Sequence, residues 1–294
     1  MPDNSLERHN LAQIEALNQR GDRMLSVVDL LLAGTMNLEM AALLCALVGR
    51  GASFLSGAVP GGAGKTTVMA ALLAFLPPGV EIITVDSERA LADAAPANER
   101  GTRRCYLAHE IGAGGWYGYI WGRAVRDYLN LARRGHMIGT GLHADATLRS
   151  SDASSLRSTS NLAQLRQILL APPLEVGEEA LAALGFVLFL AAERRGSGIR
   201  RRVSTVHAGA RADAPVLFRW DRESDTFRHG GESPQAAVAA SRKPNAVDLD
   251  AHVPPPERAA LRQLLEDLAR RKVTRLEQVR AAYLESLAPR EARR

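Results

Sequence analysis

One stretch, ASFLSGAVPGGAGKTT at residues 52–67, narrows the possible folds more than any other part of the chain. Residues 52–55 form an apolar run that predicts a short buried strand. A glycine-rich turn follows. Residues 68–76 are apolar on every side, which predicts a mostly buried helix stopped by Pro77 and Pro78. Strand, glycine turn, Gly-Lys-Thr and helix, in that order, are the setting of a phosphate-binding Walker A loop. Gly61, Gly62 and Gly64 let the backbone turn its N–H groups toward phosphate oxygens, and the helix N-terminus adds a partial positive charge. The residues expected to hold ATP there are Gly61, Gly62, Ala63, Gly64, Lys65, Thr66 and Thr67, with Lys65 on the β- and γ-phosphates and the Thr66 hydroxyl on Mg²⁺. The usual spacing fails in one place: Val59 stands where a first glycine is normal, and Gly57 lies two residues earlier.

Composition sharpens the role of Lys65. The 294 residues include 34 Arg and 3 Lys, and Lys65 is the sole Lys before Lys243. Arg carries a broad planar fork and Lys a compact charge on a thin stem, and the one early position that keeps Lys is the one where that difference matters. The net charge of +5 suits nucleotides, nucleic acid or acidic lipid headgroups and selects none of them. With 46% apolar and 23% charged residues the chain is neither disordered throughout nor a collagen or coiled coil. No run reaches the roughly 18 uninterrupted apolar residues of a membrane span. The longest, 181–192, is flanked by Glu178, Glu179, Glu193, Arg194 and Arg195. The opening MPDNSLERHN lacks the apolar core of a signal peptide, and Cys45 and Cys105 alone build neither a disulfide framework nor a zinc site. The expected location is the cytoplasm.

The flanking segments fall in a definite order. Residues 26–32 are apolar and end in a turn at Gly34-Thr35. Asn37 is placed to cap a helix over 38–48 that Gly49 and Gly51 end. After the loop come EIITVD (81–86), RCYLAHE (104–110) and RGHMIGTGLHAD (134–145). This order resembles the secretion and pilus-motor ATPases, the superfamily of type II and type IV secretion, type IV pilus and archaellum motors. Its members typically carry an apolar strand ending in acidic residues, a Walker B strand ending in Gly-Glu, and a Gly-His followed by Thr-x-His-Ala. GIRRRVSTV (198–206) and LFRWDRESDTF (217–227) look like the family's C-terminal strands, and 256–287 like its closing helices. The resemblance covers roughly residues 24–287. Residues 1–23 make only a helix-like segment where the family has a separate N-terminal domain.

The resemblance implies roles for individual residues. Asp86 takes the first acidic position after its strand, and Glu88 is off register. A Walker B carboxylate is needed near Mg²⁺ and the attacking water. Glu110 keeps the family's order, with His109 in the place of its Gly, whereas Glu193 and Asp221 follow the histidines and break that order. Glu110 is therefore the expected catalytic and metal-binding carboxylate. His143 becomes a γ-phosphate sensor or transition-state partner, and His136 a further nucleotide contact. By its surroundings alone, His136 equally suits capping the end of a helix over 124–133. Arg100, Arg103 and Arg104 are either substitutes for the family's nucleotide-contacting arginines or solvated loop residues. Arg200, Arg201 and Arg202 either face a neighbour's phosphate or form an exposed hairpin. The insertion 112–121, rich in glycine and aromatics, is a mobile loop, a contact surface or local packing.

The fold expected is α/β: a P-loop NTPase of the RecA/ASCE-like kind, with a mainly parallel sheet between helices and a helical C-terminal tail. Its parts are an N-terminal helical segment (1–23), the ATPase core (24–230), a linker rich in Pro, Ala and Ser (231–255) and C-terminal helices (256–294). The resemblance implies an ATP-hydrolysing motor, a homohexameric ring working on an inner-membrane secretion or pilus platform and peripheral to the inner face of the membrane. Two other classes remain: a nucleotide-binding switch with weak hydrolysis, prompted by the altered acidic box, and a nucleic-acid translocase, prompted by the arginine excess.

Overall fold

The computed structural model describes residues 4–18, 21–58, 62–86, 88–92, 94, 97, 103–113, 118–143, 161–230 and 253–288. Val59, Gly61, Arg100, the polar stretch 147–160, most of the linker and the side chain of His143 lie outside the described residues.

The nine strands found there are β1 Phe54–Ala58, β2 Glu81–Thr84, β3 Arg104–Ile111, β4 Tyr119–Ile120, β5 Met137–His143, β6 Phe186–Arg195, β7 Gly198–His207, β8 Val216–Asp221 and β9 Thr226–His229. They form one sheet in the order β2-β3-β5-β1-β6-β7-β8-β9, with β4 on β3. From β2 to β6 the strands are parallel, and from β6 to β9 antiparallel. The expected α/β fold with a mainly parallel sheet thus carries an antiparallel extension. The expected strand at 52–55 instead runs to Ala58. Gly57 belongs to it: a Cβ there would lie 2.6 Å from the Phe189 ring, so glycine serves packing and not the loop turn.

A parallel sheet is buried on both faces, and odd and even positions of each strand divide accordingly. Phe54, Cys105, Leu107, Met137, Phe186 and Leu188 join one core; Leu55, Tyr106, Ala108, Ile138, Val187 and Phe189 join the other. The first face is covered by α1 Asn4–Glu15, α2 Val27–Leu32, α3 Leu38–Gly49, α4 Lys65–Leu73 and the tail helices α9 Pro255–Arg270 and α10 Leu276–Leu287. The second carries α5 Glu88–Ala92, α6 Arg123–Arg133, α7 Asn161–Leu170 and α8 Glu178–Ala182. Asn37 caps α3 as expected, its Oδ1 accepting from Met40 N–H at 2.9 Å. Burial raises both thiols, and Cys105 is pushed up to about 12.

Both ends of the chain are bound into this body. Asn10 of α1 donates to Val80 O and accepts from Ile82 N–H, each at 2.8 Å, and so occupies backbone groups along the edge strand β2. Arg280 of α10 makes a buried two-pronged pair with Glu7 of α1, both bonds 2.8 Å, and also donates to Ala74 O. Among the described residues no helix is long and apolar enough to cross a membrane.

Candidate active site

The chain leaves β1 at Ala58 and enters α4 at Lys65. Gly62 and Gly64 have φ of 81° and 100°, the left-handed region that glycine adopts without strain. Gly64 is the N-cap of α4 and, as glycine, brings no side chain of its own to cap the helix. Lys65 is the first residue of the helix and is buried, as is Glu110 on β3. Lys65 Nζ lies 3.1 Å from Glu110 Oε1, and Glu110 Oε2 accepts from the Tyr119 hydroxyl at 2.9 Å.

This pair spans an intervening strand. Ser56 of β1 is level with Gly141 of β5, Gly141 with Glu110 of β3, and Glu110 with Tyr119 of β4. Gly141 keeps the row open: a Cβ there would stand 3.4 Å from Lys65 Cε and 3.7 Å from Ser56 Oγ. The lysine stem therefore passes over a gap in the β5 side chains to reach the carboxylate beyond it.

The direction of Glu110 depends on an irregularity in β3. Leu107 is level with Gly139 and Glu110 with Gly141, so three steps on β3 match two on β5. The N–H groups of His109 and Glu110 both point to Gly118 O, at 2.9 and 3.4 Å, the signature of a β-bulge. Up to Ala108 the even residues of β3 face the second core; after the bulge Ile111 does. Without the extra residue Glu110 would face α6, and Ile111 would face Lys65.

A cleft of about 1210 Å³ opens above this row, lined by Gly64, Lys65, Thr66, Glu110, Tyr119 and the β6–β7 hairpin among others. That is ample for a nucleoside triphosphate. Burial lowers the pKa of His109, which lines the same cleft, with Glu110 opposing the shift.

Gly62, Ala63, Gly64, Lys65, Thr66, Thr67 and Glu110 are brought to one cleft. His143 ends β5 level with Ala58, at the loop end of the sheet. Two expected contacts are not brought there. His136 precedes β5 and sits at the opposite end of the strands, where its Nδ1 accepts from Arg104 N–H at 3.3 Å and its ring meets Tyr106 edge-on. Asp86 is exposed beyond the edge strand β2, three strand spacings or about 14 Å from β1. Parallel pairing explains both, since the two positions are set by strand end and strand order. Arg103 and Arg104 also lie at the far end; Arg103 donates to Gly51 O at 2.6 Å and Arg104 pairs with Glu81. Glu193, the rival carboxylate, is held by Arg200 and Arg222, and Asp221 by Arg228. Sequence reasoning passed over Ser56, Gly141 and Tyr119. The small residues of GTGLH were the available sign of a crossing side chain.

Neither a family model nor a curated protein matches the sequence. Among solved structures the chain is similar to the VirB11 ATPase from the Brucella suis type IV secretion system, crystallised with sulphate. The two share 19% identity with a TM-score of 0.31, over 57% of this chain and 50% of that one. The chain thus matches half the length of that protein.

Proposed function

We propose that this chain binds ATP on the loop ending in Lys65 and hydrolyses it with Glu110. The observation that carries the reading is the Lys65–Glu110 pair: a loop lysine and a strand carboxylate, both buried, meeting across Gly141 beside a helix N-terminus whose N-cap is a glycine. The Thr66 hydroxyl and the Glu110 carboxylate line one cleft and are hard oxygen donors of the kind that Mg²⁺ takes. Bound there, Mg²⁺ would neutralise charge on the phosphates.

The residues divide the work as follows. Phosphate competes with Glu110 for Lys65 Nζ, and Lys65 turns to it. Tyr119 holds Glu110 Oε2, while Oε1 is released to accept a hydrogen bond from the attacking water. Glu110 Oε1 takes a proton from the water as its oxygen bonds to the terminal phosphorus and the bridging oxygen leaves with ADP, and Lys65 with the loop amides balances the developing charge. His143 is proposed as a further group at the terminal phosphate, on its place at the end of β5.

Labelled-ATP retention and phosphate release test this. Lys65→Ala should lose retention by about tenfold or more. Glu110→Gln should keep ATP while hydrolysis falls by about 10²–10⁴. A wild type that holds no ATP, or a Lys65→Ala that holds it equally, ends the reading. Equal, near-zero turnover of wild type and Glu110→Gln with intact binding makes the protein a switch instead. The finer reading, a homohexameric motor on an inner-membrane secretion or pilus platform, rests on the motif order in the sequence. Light scattering with Mg²⁺ and an ATP analogue tests it, and a strict monomer excludes the ring.

A further inference from the structure

The three consecutive arginines of β7 have different fates. Arg200 pairs with Glu193 at 2.6 Å and Asp225 at 3.1 Å and lies over the Trp220 ring. Arg202 makes a two-pronged pair with Asp225, both bonds 2.9 Å. Arg201, between them, has no carboxylate partner among the described residues; its Nε donates to Gly62 O of the phosphate loop at 3.1 Å. Its terminal nitrogens have no hydrogen-bond partner among the described residues.

The hairpin geometry brings Arg201 there. β1 ends at Ala58, level with Leu190, and β6 runs on to Arg195, so the outer half of the β6–β7 hairpin projects past the loop. Arg201 is level with Ala192 in that projecting half. It lies on the same side of β7 as Val203, which belongs to the core that α4 covers. A Cβ on Gly64 would be 3.5 Å from Arg201 Cδ and 3.8 Å from Leu190. Lys65 leaves the loop toward β3, and Arg201 arrives from the β6 side. Both line the one cleft.

We infer that Arg201 is a second cationic ligand of the nucleotide phosphates, supplied by the same chain. Its Nε braces the loop carbonyl, while its terminal nitrogens are available to phosphate oxygens in the forked geometry that Arg favours. This rests on the reading of the Lys65 loop as an ATP site.

The test is the dissociation constant of Mg²⁺-ATP and Mg²⁺-ADP, by calorimetry, for wild type, Lys65→Ala, Arg201→Gln, Arg201→Glu and Arg195→Gln. Gln keeps a donor for Gly62 O and removes the charge; Arg195 lines the same cleft and makes no hydrogen bond to the loop among the described residues. Arg201→Gln should weaken binding about tenfold, Arg201→Glu further, and both should flatten the salt dependence, with thermal midpoints close to wild type. Arg195→Gln should change binding less than twofold or so. Unchanged binding in Arg201→Gln and Arg201→Glu overturns the inference and leaves the loop reading intact if Lys65→Ala still fails to bind. So does an equal loss in Arg195→Gln, which would mark a general field. A wild type without nucleotide binding overturns both.

Discussion

Tyr128 Oη lies 3.3 Å from the backbone N–H of Ala108, at the point where β3 gains its extra residue. The same hydroxyl reaches Tyr106 O at 3.0 Å and Gly139 O at 2.8 Å. With one proton it donates to one carbonyl at a time and accepts from Ala108. The ring is fully buried on α6. Tyr128 thus bridges backbone groups of β3 and β5 beside the bulge. Tyr128→Phe should cost about 1–3 kcal/mol by removing these buried hydrogen bonds. Hydrolysis should fall more than ATP retention, because Glu110 shifts while Lys65 stays on α4. Denaturant unfolding and turnover check this, and an unchanged midpoint would count against a bulge held by Tyr128.

Gly141 should tolerate only one carbon. A Cβ meets Lys65 Cε at 3.4 Å, an ordinary close contact, and no left-handed φ forbids it. Gly141→Ala should keep ATP retention within a few-fold. Gly141→Leu should overpack the row, cost about 1–3 kcal/mol and part Lys65 from Glu110. Equal retention in both variants would mean that the lysine does not cross at this point.

The buried Glu7–Arg280 pair offers a test by double substitution. Arg280→Ala alone strands Glu7 and should cost about 3–5 kcal/mol, whereas Glu7→Met with Arg280→Leu should recover part of that loss, the Ala74 and Leu76 carbonyls still lacking their Arg280 donor. The thermal midpoints of the single and double variants decide. The single variant should also loosen α1 from β2, read as faster hydrogen exchange at Ile82, whose N–H is held by Asn10.

The outer hairpin should loosen in acid. The Arg202 guanidinium, helped by the Trp220 indole, holds Asp225 well below the usual carboxylate range. Because the folded value is depressed, this stabilisation is complete above the ordinary carboxylate pKa of about 3.9 and is lost as pH falls below it. Fluorescence from Trp220 should change below about pH 4. In Asp225→Asn that component should be absent, and its persistence would assign the change to another carboxylate.

Much of this molecule is legible along the chain. Asn37 announces α3, and the apolar runs announce β2, β3, β5 and β6. Pro77 and Pro78 mark the end of the α4 segment, and Gly-Lys-Thr marks the loop. The arginine excess also has a plain structural use. Arg23–Asp29, Arg50–Glu257, Arg200–Glu193, Arg202–Asp225 and Arg280–Glu7 are ion pairs to carboxylates, several of them forked, which suits Arg better than Lys. His136 and Asp86, the two expected contacts that lie away from the cleft, are placed by which end of which strand each occupies.

Local features such as side-chain periodicity, caps, prolines and the glycine loop were determined by the sequence itself, because each is a property of neighbouring residues. The order β2-β3-β5-β1-β6, the extra residue in β3 and the hairpin over the loop were decided only in three dimensions. They rest on hydrogen bonds between residues far apart in the chain, as Ser53 with His136 or Arg201 with Gly62. One added residue reverses the face of everything after it in a strand, and no run of consecutive letters records whether it is there. That is why Glu110 could be chosen from the sequence, while its meeting with Lys65 could not.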